Sequence, residues 1–257
     1  MNDITASARC PMPADLPGWL PEIGRRLDRP FSLEEIRLFL EYIKLLREWN
    51  EKINLTSILD DEGIAVRHLL DSLTLLPYLD ASLAAAGQAG IHLIDVGSGA
   101  GLPGLALKIV RPDLQVVLLD ALAKRVAFLD AAIARLKLRG ISARHGRAED
   151  AGRSPDLREQ MDVAAARAVA SLPALCEYCL PFVRCGGIFL AMKGQISENW
   201  SDANRALRLL GGELSEVRNY NLPGTDMKRT VLVIGKVAPT PPAYPRKAGL
   251  PERKPLL

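Results

Sequence analysis

Asp95-Val-Gly97-Ser-Gly99-Ala-Gly101-Leu-Pro103-Gly104 sets a carboxylate at the end of an apolar run, then three glycines at every second position, then a helix start. Glycine has no Cβ and accepts φ > 0, so such a turn lets a ligand lie against backbone N–H groups at a helix N-terminus. The chemistry this suggests is the holding of a nucleoside cofactor. The dinucleotide fingerprint Gly-x-Gly-x-x-Gly would put its third glycine at 102, which is Leu102, so a dinucleotide is set aside.

Other residues could share that task. Asp120 comes 19 residues after Gly101, at the end of the next apolar run, where a carboxylate meets ribose hydroxyls. Alternatively, it caps the helix that follows. Arg147-Ala148-Glu149-Asp150 follows a third strand, a place where a backbone N–H can read an adenine edge and a carboxylate can take its amino group. Arg167 ends a run of alanines and either pairs with a carboxylate or contacts the cofactor or its target. Upstream, Arg67, His68 and Asp71 fall within about one helical turn and read by themselves as an ion pair on a surface or interface. Cys176-x-x-Cys179 and Cys185 lack a second ligand pair, so buried or idle thiols are expected and no metal site.

The elements that must position these residues are readable from periodicity. Residues 1–14 show none and are expected to be disordered. Helices are expected over Leu16–Leu27, from a Ser32/Glu35 capping box to Trp49-Asn50, and over Glu62–Leu79. After the Ala84–Gly90 loop, strands at His92–Val96, Leu114–Leu119, Ile141–His145, Asp162–Ala166 and Gly187–Met192 alternate with helices. These helices span Gly104–Val110, Lys124–Leu138 (stopped by Gly140), Pro173–Val183 and Ser197–Leu210. Glu213–Tyr220 and Arg229–Val237 form a closing pair of strands. This is an α/β, mostly parallel seven-stranded sheet with helices on both faces and an N-terminal helical extension. The organisation expected is a variable extension at 1–30, a helical segment at 31–85, a cofactor domain at 90–238 and a basic, Pro-rich tail at 239–257.

The net charge of +3 does not by itself advertise a polyanion partner, but its distribution is uneven. Lys124, Arg125, Arg135, Lys137, Arg139, Arg144 and Arg147 against Asp130 make one block of +6. The tail's Arg246, Lys247, Arg253 and Lys254 against Glu252 add +3. A charge run is usually a solvated face, but beside a cofactor loop it becomes a candidate polyanion-facing edge. No long apolar run suggests a membrane span and no leader pattern is present, so a cytoplasmic protein is expected.

The glycine run resembles the cofactor loop of Rossmann-like class I S-adenosylmethionine (SAM) methyltransferases. Enzymes of that class that methylate exocyclic amines carry an Asn/Asp-Pro-Pro-aromatic run after the fourth strand; Arg167-Ala-Val-Ala stands there. Cytosine C5 chemistry needs a cysteine nucleophile at a strand end, and Cys176 and Cys179 fall inside a helix. More broadly, the chain resembles the bacterial 16S rRNA (guanine-N7) methyltransferase G family, also called glucose-inhibited division protein B. The resemblance runs from Trp49-Asn50 and Asn54-Leu-Thr-Ser57 through Val66-Arg-His68-x-Leu70-Asp-Ser72, the glycine run and Leu118-Leu-Asp120 with Lys124-Arg125-x-x-Phe128-Leu129. It continues in Arg147-Ala-Glu149, Ala166-Arg-Ala-Val-Ala170, Leu190-Ala-Met-Lys-Gly194 and Tyr244-Pro-Arg-Lys247-x-Gly249. It implies methyl transfer from SAM to a guanine N7 in the decoding region of 16S rRNA. It also implies that Gly97, Gly99, Leu102, Asp120, Ala148, Glu149 and Arg167 hold the cofactor. Candidate catalytic residues are Asp71, His68, Arg67 and Lys193. Candidate RNA contacts are Lys124, Arg125, Arg144, Arg147, Arg246 and Lys247. The expected partner is 16S rRNA within the 30S subunit or an assembly intermediate, met by a monomer. The competing readings are a SAM methyltransferase acting on a small molecule or protein, and a non-catalytic RNA-binding SAM module.

Overall fold

A computed structural model describes residues 13–86, 90–167, 170–194 and 200–257. The expectation for residues 1–14 therefore falls almost wholly outside the described residues, as does the start of the helix expected at Ser197. Helices α1 (Leu16–Arg26) and α2 (Leu33–Ile53) come first. The Ser32/Glu35 capping box forms at the head of α2, with Glu35 accepting the Ser32 N–H at 2.7 Å and Ser32 Oγ accepting the Glu35 N–H at 3.2 Å.

The single helix expected over Glu62–Leu79 is instead built of α3 (Asp61–Gly63), a π-helical stretch (Ile64–Leu70), α4 (Asp71–Leu73) and then α5 (Leu76–Ala86). Thr74 ends α4, its Oγ1 donating to the Asp71 carbonyl at 2.6 Å, a local bond that competes with helix continuation. Then come β1 (His92–Val96), α6 (Gly104–Val110), β2 (Gln115–Asp120), α7 (Ala123–Leu136), β3 (Ile141–His145) and α8 (Ala148–Ala151). β4 (Met161–Arg167), α9 (Leu172–Cys179), β5 (Val183–Lys193), α10 (Asn204–Leu210), β6 (Gly212–Asn221), β7 (Lys228–Lys236) and α11 (Leu250–Arg253) complete the chain. α7 stops earlier than expected: Lys137 takes the left-handed conformation (φ 53°) as its C-cap, and Gly140 serves the turn into β3. α9 is likewise shorter than expected, because a 3₁₀ turn (Leu180–Phe182) carries the chain straight into β5. The short α8 and α11 carry too few apolar positions to be seen as periodicity.

The seven strands lie in the order β3-β2-β1-β4-β5-β7-β6. All neighbouring pairs are parallel except those made by β7, which runs antiparallel to both β5 and β6. The strand order reverses between β1 and β4, and ligands of such sheets sit in the crevice outside the strand C-termini at that point.

Alternate residues of each strand feed two cores. Leu93, Val116, Leu118 and Val163 pack with α6, α7 and the N-terminal helices, whose Trp19, Phe39 and Tyr42 are buried in the same cluster. Ile94, Leu119, Ala164 and Phe189 pack on the opposite face with α9, α10 and the tail's Leu256. The N-terminal helices are thus one layer of the sheet's own core. Trp49 meets Phe128 of α7 edge-on at 5.8 Å, and Tyr42 donates its hydroxyl to the Ala100 carbonyl at 2.6 Å, bracing the glycine loop from behind.

Candidate active site

The glycine loop leaves the C-terminal end of β1 with Gly97, Gly99 and Gly101 at φ 76°, 56° and 86°, a region that L side chains rarely adopt. Gly104 is needed for another reason: a Cβ there would lie 2.5 Å from Leu118 Cδ2 and 2.9 Å from Asp95 Cβ. The loop is tied to β2 by the Gly97 and Ser98 N–H groups, which donate to the Leu119 carbonyl at 2.8 and 3.1 Å. Asp120 is buried at the end of β2. Its Oδ2 accepts the Gly99 N–H and its Oδ1 the Leu122 N–H, each at 2.9 Å, and Arg125 Nη1 stands 3.5 Å away. Two hydrogen bonds leave a carboxylate with further lone pairs for a ligand's hydroxyls.

Asp95 is fully buried. Its Oδ2 accepts the Gly104 N–H at 2.9 Å, while its Oδ1 has no partner. Burial pushes this carboxyl up to about 6, against the pull of the Gly104 N–H and of Arg167. A buried, half-satisfied carboxylate beneath the loop suits a positively charged ligand group. Sequence reasoning quoted Asp95 in the motif but gave it no role.

A cavity of about 160 Å³ opens over this end of the sheet. Gly97, Asp120, Ala148 and Glu149 line it, together with Tyr178 of α9 and Glu252 of α11, which the sequence did not single out. Gly99 sits beside it through its bond to Asp120, and Leu102 is buried behind the loop, its N–H bonded to the Ser98 carbonyl at 3.1 Å. Arg147 lines this cavity too.

The tail is bound down as part of the cavity wall. Arg246 grips the fully buried Glu177 through Nε (2.9 and 3.0 Å) and Nη2 (2.6 Å), and Glu149 Oε1 accepts the Gly249 N–H at 2.7 Å. Arg246, expected among the RNA contacts, therefore has its guanidinium committed to a buried carboxylate. Lys247 is exposed.

A second cavity of about 280 Å³ lies at the C-terminal ends of β4 and β5. Arg67, His68, Asp71, Arg167 and Lys193 all line it, although they come from three separate stretches of chain. Tyr220 and Arg229, from the β6–β7 hairpin, complete the group and were not anticipated. Asp71 is the hub: Arg229 Nε donates to its Oδ1 at 3.0 Å, and Arg167 Nη1 stands 3.7 Å from its Oδ2. Burial raises the Asp71 carboxyl above its ordinary range, and the two guanidiniums oppose that rise. Arg167 Nη1 also donates to the Arg67 carbonyl at 3.2 Å. Arg167 thus lines this second cavity and is not among the residues that line the first.

His68 Nε2 is 2.8 Å from Thr56 Oγ1, and burial, with Arg167 nearby, pulls its imidazole down to about 4. It is neutral at physiological pH. Lys193 Nζ donates to the Ala170 carbonyl at 2.6 Å. Cys176 and Cys179 are buried on α9, and burial pushes the Cys176 thiol up to about 12, so neither is a poised nucleophile.

The +6 block is placed on α7 and β3, the sheet edge opposite the β7–β6 edge that closes the acceptor cavity. Within it Arg125 faces Asp120, Arg135 pairs with Glu41 at 3.1 Å and Arg144 pairs with Asp156. Lys124, Arg144 and Arg147 are exposed.

Known proteins match this arrangement across nearly the whole chain. The family described as rRNA small subunit methyltransferase G matches residues 35–227. The ribosomal RNA small subunit methyltransferase G of Acetivibrio thermocellus is 50% identical over 87% of this chain and 89% of its own. The protein of the same name from Alkaliphilus oremlandii is 44% identical over 92% and 97%, and that of Desulforamulus reducens 41% identical over the full length of both. A glycine loop, a buried carboxylate after β2 and a cation-lined cavity stand at one end of the sheet, carried by a sequence this close to those relatives: the chain is a member of the rRNA small subunit methyltransferase G family.

Proposed function

We propose that the protein transfers a methyl group from SAM to N7 of a guanine in the decoding region of 16S rRNA. It acts in the cytoplasm as a monomer on the 30S subunit or an assembly intermediate. The observation that carries this reading is the acceptor cavity, which is rich in cations and, among the described residues, holds no side chain poised as a base. Guanine N7 offers a lone pair and carries no proton, so its methylation needs no base. His68 is bonded to Thr56 and neutral, and the Asp71 carboxylate is engaged by Arg229 with Arg167 beside it.

Bound SAM would supply a methyl group on a sulfonium; the carbon–sulfur bond breaks as the bond to N7 forms. Gly97, Gly99 and Leu102 of the loop, Asp120, Ala148 and Glu149 would hold it, with the buried Asp95 carboxylate beneath the loop contributing negative charge near its sulfonium. Arg67, Arg167, Lys193 and Arg229 would take RNA phosphates and the guanine O6, which leaves N7 exposed to the methyl. Asp71 is best read as the group that fixes two of those arginines. Its negative charge also offsets part of the positive charge that the purine gains. Rate then comes mainly from alignment of the acceptor with the methyl carbon. The target base must leave its stack to enter the cavity. Lys124, Arg144, Arg147 and Lys247 would add backbone contacts to a large RNA particle.

The test is methyl incorporation from labelled SAM into hypomethylated 30S particles and into naked 16S rRNA, followed by mapping of 7-methylguanine. Label at another base atom, or none in either RNA, sinks the reading.

A further inference from the structure

Beside the acceptor cavity lies a larger one, of about 640 Å³, between the end of α1, the start of α5 and the outer strand β6. Tyr220 is on the wall of both. Its hydroxyl is 2.8 Å from Thr74 Oγ1, which bonds to the Asp71 carbonyl at 2.6 Å. The shared residue is thereby tied to the hub of the acceptor cavity.

The wall holds three arginines against the acids Asp28 and Asp80. Arg26 is held by Glu22, Arg29 by Glu35 at 2.6 Å, and Asp80 by Arg111. Arg218 is exposed and, among the described residues, makes no ion pair. Two buried polar atoms on wall residues, Arg29 Nη1 and Tyr78 Oη, have no hydrogen-bond partner. Each can donate, so an occupant bringing acceptor oxygens or ring nitrogens would complete this wall.

We propose that this cavity is a second nucleotide subsite, which takes the residue next to the target guanosine in the RNA strand, with its base against Tyr78 and Tyr220 and its phosphate on Arg218. The inference rests on the RNA-methylating function proposed above. A strand that delivers one splayed base into the acceptor cavity must place its neighbour close by, and this cavity shares a wall residue, Tyr220, with it. Its volume lies in the range that holds small molecules of nucleotide size. Stacking on tyrosine tolerates any base, and a phosphate contact reads none, so the subsite would position the strand without specifying its sequence.

The experiment measures RNA affinity by fluorescence anisotropy, using a short single-stranded RNA that carries the target guanosine and versions with an abasic residue on either side of it. Wild type, Arg218→Ala and Tyr78→Leu are compared, with thermal melts and SAM affinity as controls for folding. Arg218→Ala should weaken binding about fivefold and lower the slope of log affinity against log salt by roughly 0.7. Tyr78→Leu should weaken the intact RNA about fivefold, yet change little against the RNA abasic on one side, because the stacked base is already gone. Unchanged affinities in both variants, or equal losses from Tyr78→Leu on intact and abasic RNA, would overturn the subsite. Variant-sensitive binding by a protein that methylates no rRNA would support the subsite while sinking the reaction, so the two claims can fail separately.

Discussion

The two cavities at this sheet edge are built on opposite principles. The proposed cofactor side centres on a left-handed glycine loop with its N–H groups and on short segments at successive strand ends, with Asp120 after β2 and Ala148-Glu149 after β3. The proposed acceptor side is made of long cationic side chains brought from the π-helical stretch, β4, β5 and β7, two of which, Arg167 and Arg229, meet at Asp71. A small cofactor of fixed shape can be met by fixed backbone. A flexible polyanion is better met by side chains that carry charge and can adjust. The comparison implies that damage to either side should be read out separately, in SAM affinity or in RNA affinity.

The largest expected effect concerns the tail, whose charge suggests the RNA side but whose contacts belong to the cofactor side. Arg246→Ala strands the fully buried Glu177 without its partner and should cost about 3–5 kcal/mol of stability. Chemical denaturation should show that loss, and SAM affinity should fall with it, while the salt dependence of RNA binding stays unchanged. A reduced salt slope with normal stability would return Arg246 to the RNA side.

Asp120→Ala comes next. It removes a ribose-facing carboxylate and leaves the Gly99 and Leu122 N–H groups without an acceptor. SAM binding measured by calorimetry should weaken by about 1.5–3 kcal/mol, with RNA affinity intact. The matching cut on the other side is Arg229→Ala, which leaves Asp71 with Arg167 alone at 3.7 Å. It should raise the KM for RNA about tenfold, ~1.4 kcal/mol, and leave SAM affinity unchanged. If either variant moves both affinities equally, the division between the two sides fails.

What the sequence disclosed follows the same division. The glycine run, Asp120 and Ala148-Glu149 were legible because each lies at a strand end where local pattern and fold class together fix the position. Arg67, His68 and Asp71 could be grouped by their helical spacing, but nothing in the sequence shows that Arg167 and Lys193 meet them. Their convergence is a product of the strand order. Arg229 and Tyr220 sit in a hairpin that read only as two strands. The tail misled for a different reason: a count of charges cannot show that Arg246 is answered by Glu177, 69 residues earlier. The +6 block is similar, since Arg125, Arg135 and Arg144 are answered by Asp120, Glu41 and Asp156 from elsewhere in the chain.

Asp95 allows a subtler test. Its folded pKa of about 6 lies above the ordinary value of 3.8, so the ionised carboxylate burdens the ligand-free fold above pH 6, and that burden is relieved as pH falls from 7 towards 4. A cationic cofactor needs the ionised form, so SAM affinity should fall as pH drops through about 6, approaching tenfold per pH unit. Measured as the difference between wild type and Asp95→Asn, stability and affinity should therefore move in opposite directions on acidification. Movement in the same direction would mean that Asp95 does not face the cofactor's charge.

The smallest expected effect bears most directly on the chemistry. His68 is the one imidazole on the acceptor wall, and a reaction that needed a base would look to it first. Its pKa, pulled down to about 4 from the usual 6.5, leaves it neutral from pH 6 to 8. Its neutral form is the one the fold favours, so its contribution to stability is complete above pH 6.5 and is lost as pH falls towards 4. An N7 acceptor gives up no proton, so kcat at saturating SAM and RNA should be flat between pH 6 and 8. His68→Gln, which can still hydrogen-bond to Thr56, should change kcat by no more than a few-fold and leave that profile flat. A hundredfold or greater loss of kcat in His68→Gln, with SAM and RNA affinity unchanged, would show that His68 removes a proton from the acceptor. The acceptor would then not be N7, and the cavity's cations would serve a different atom of the base.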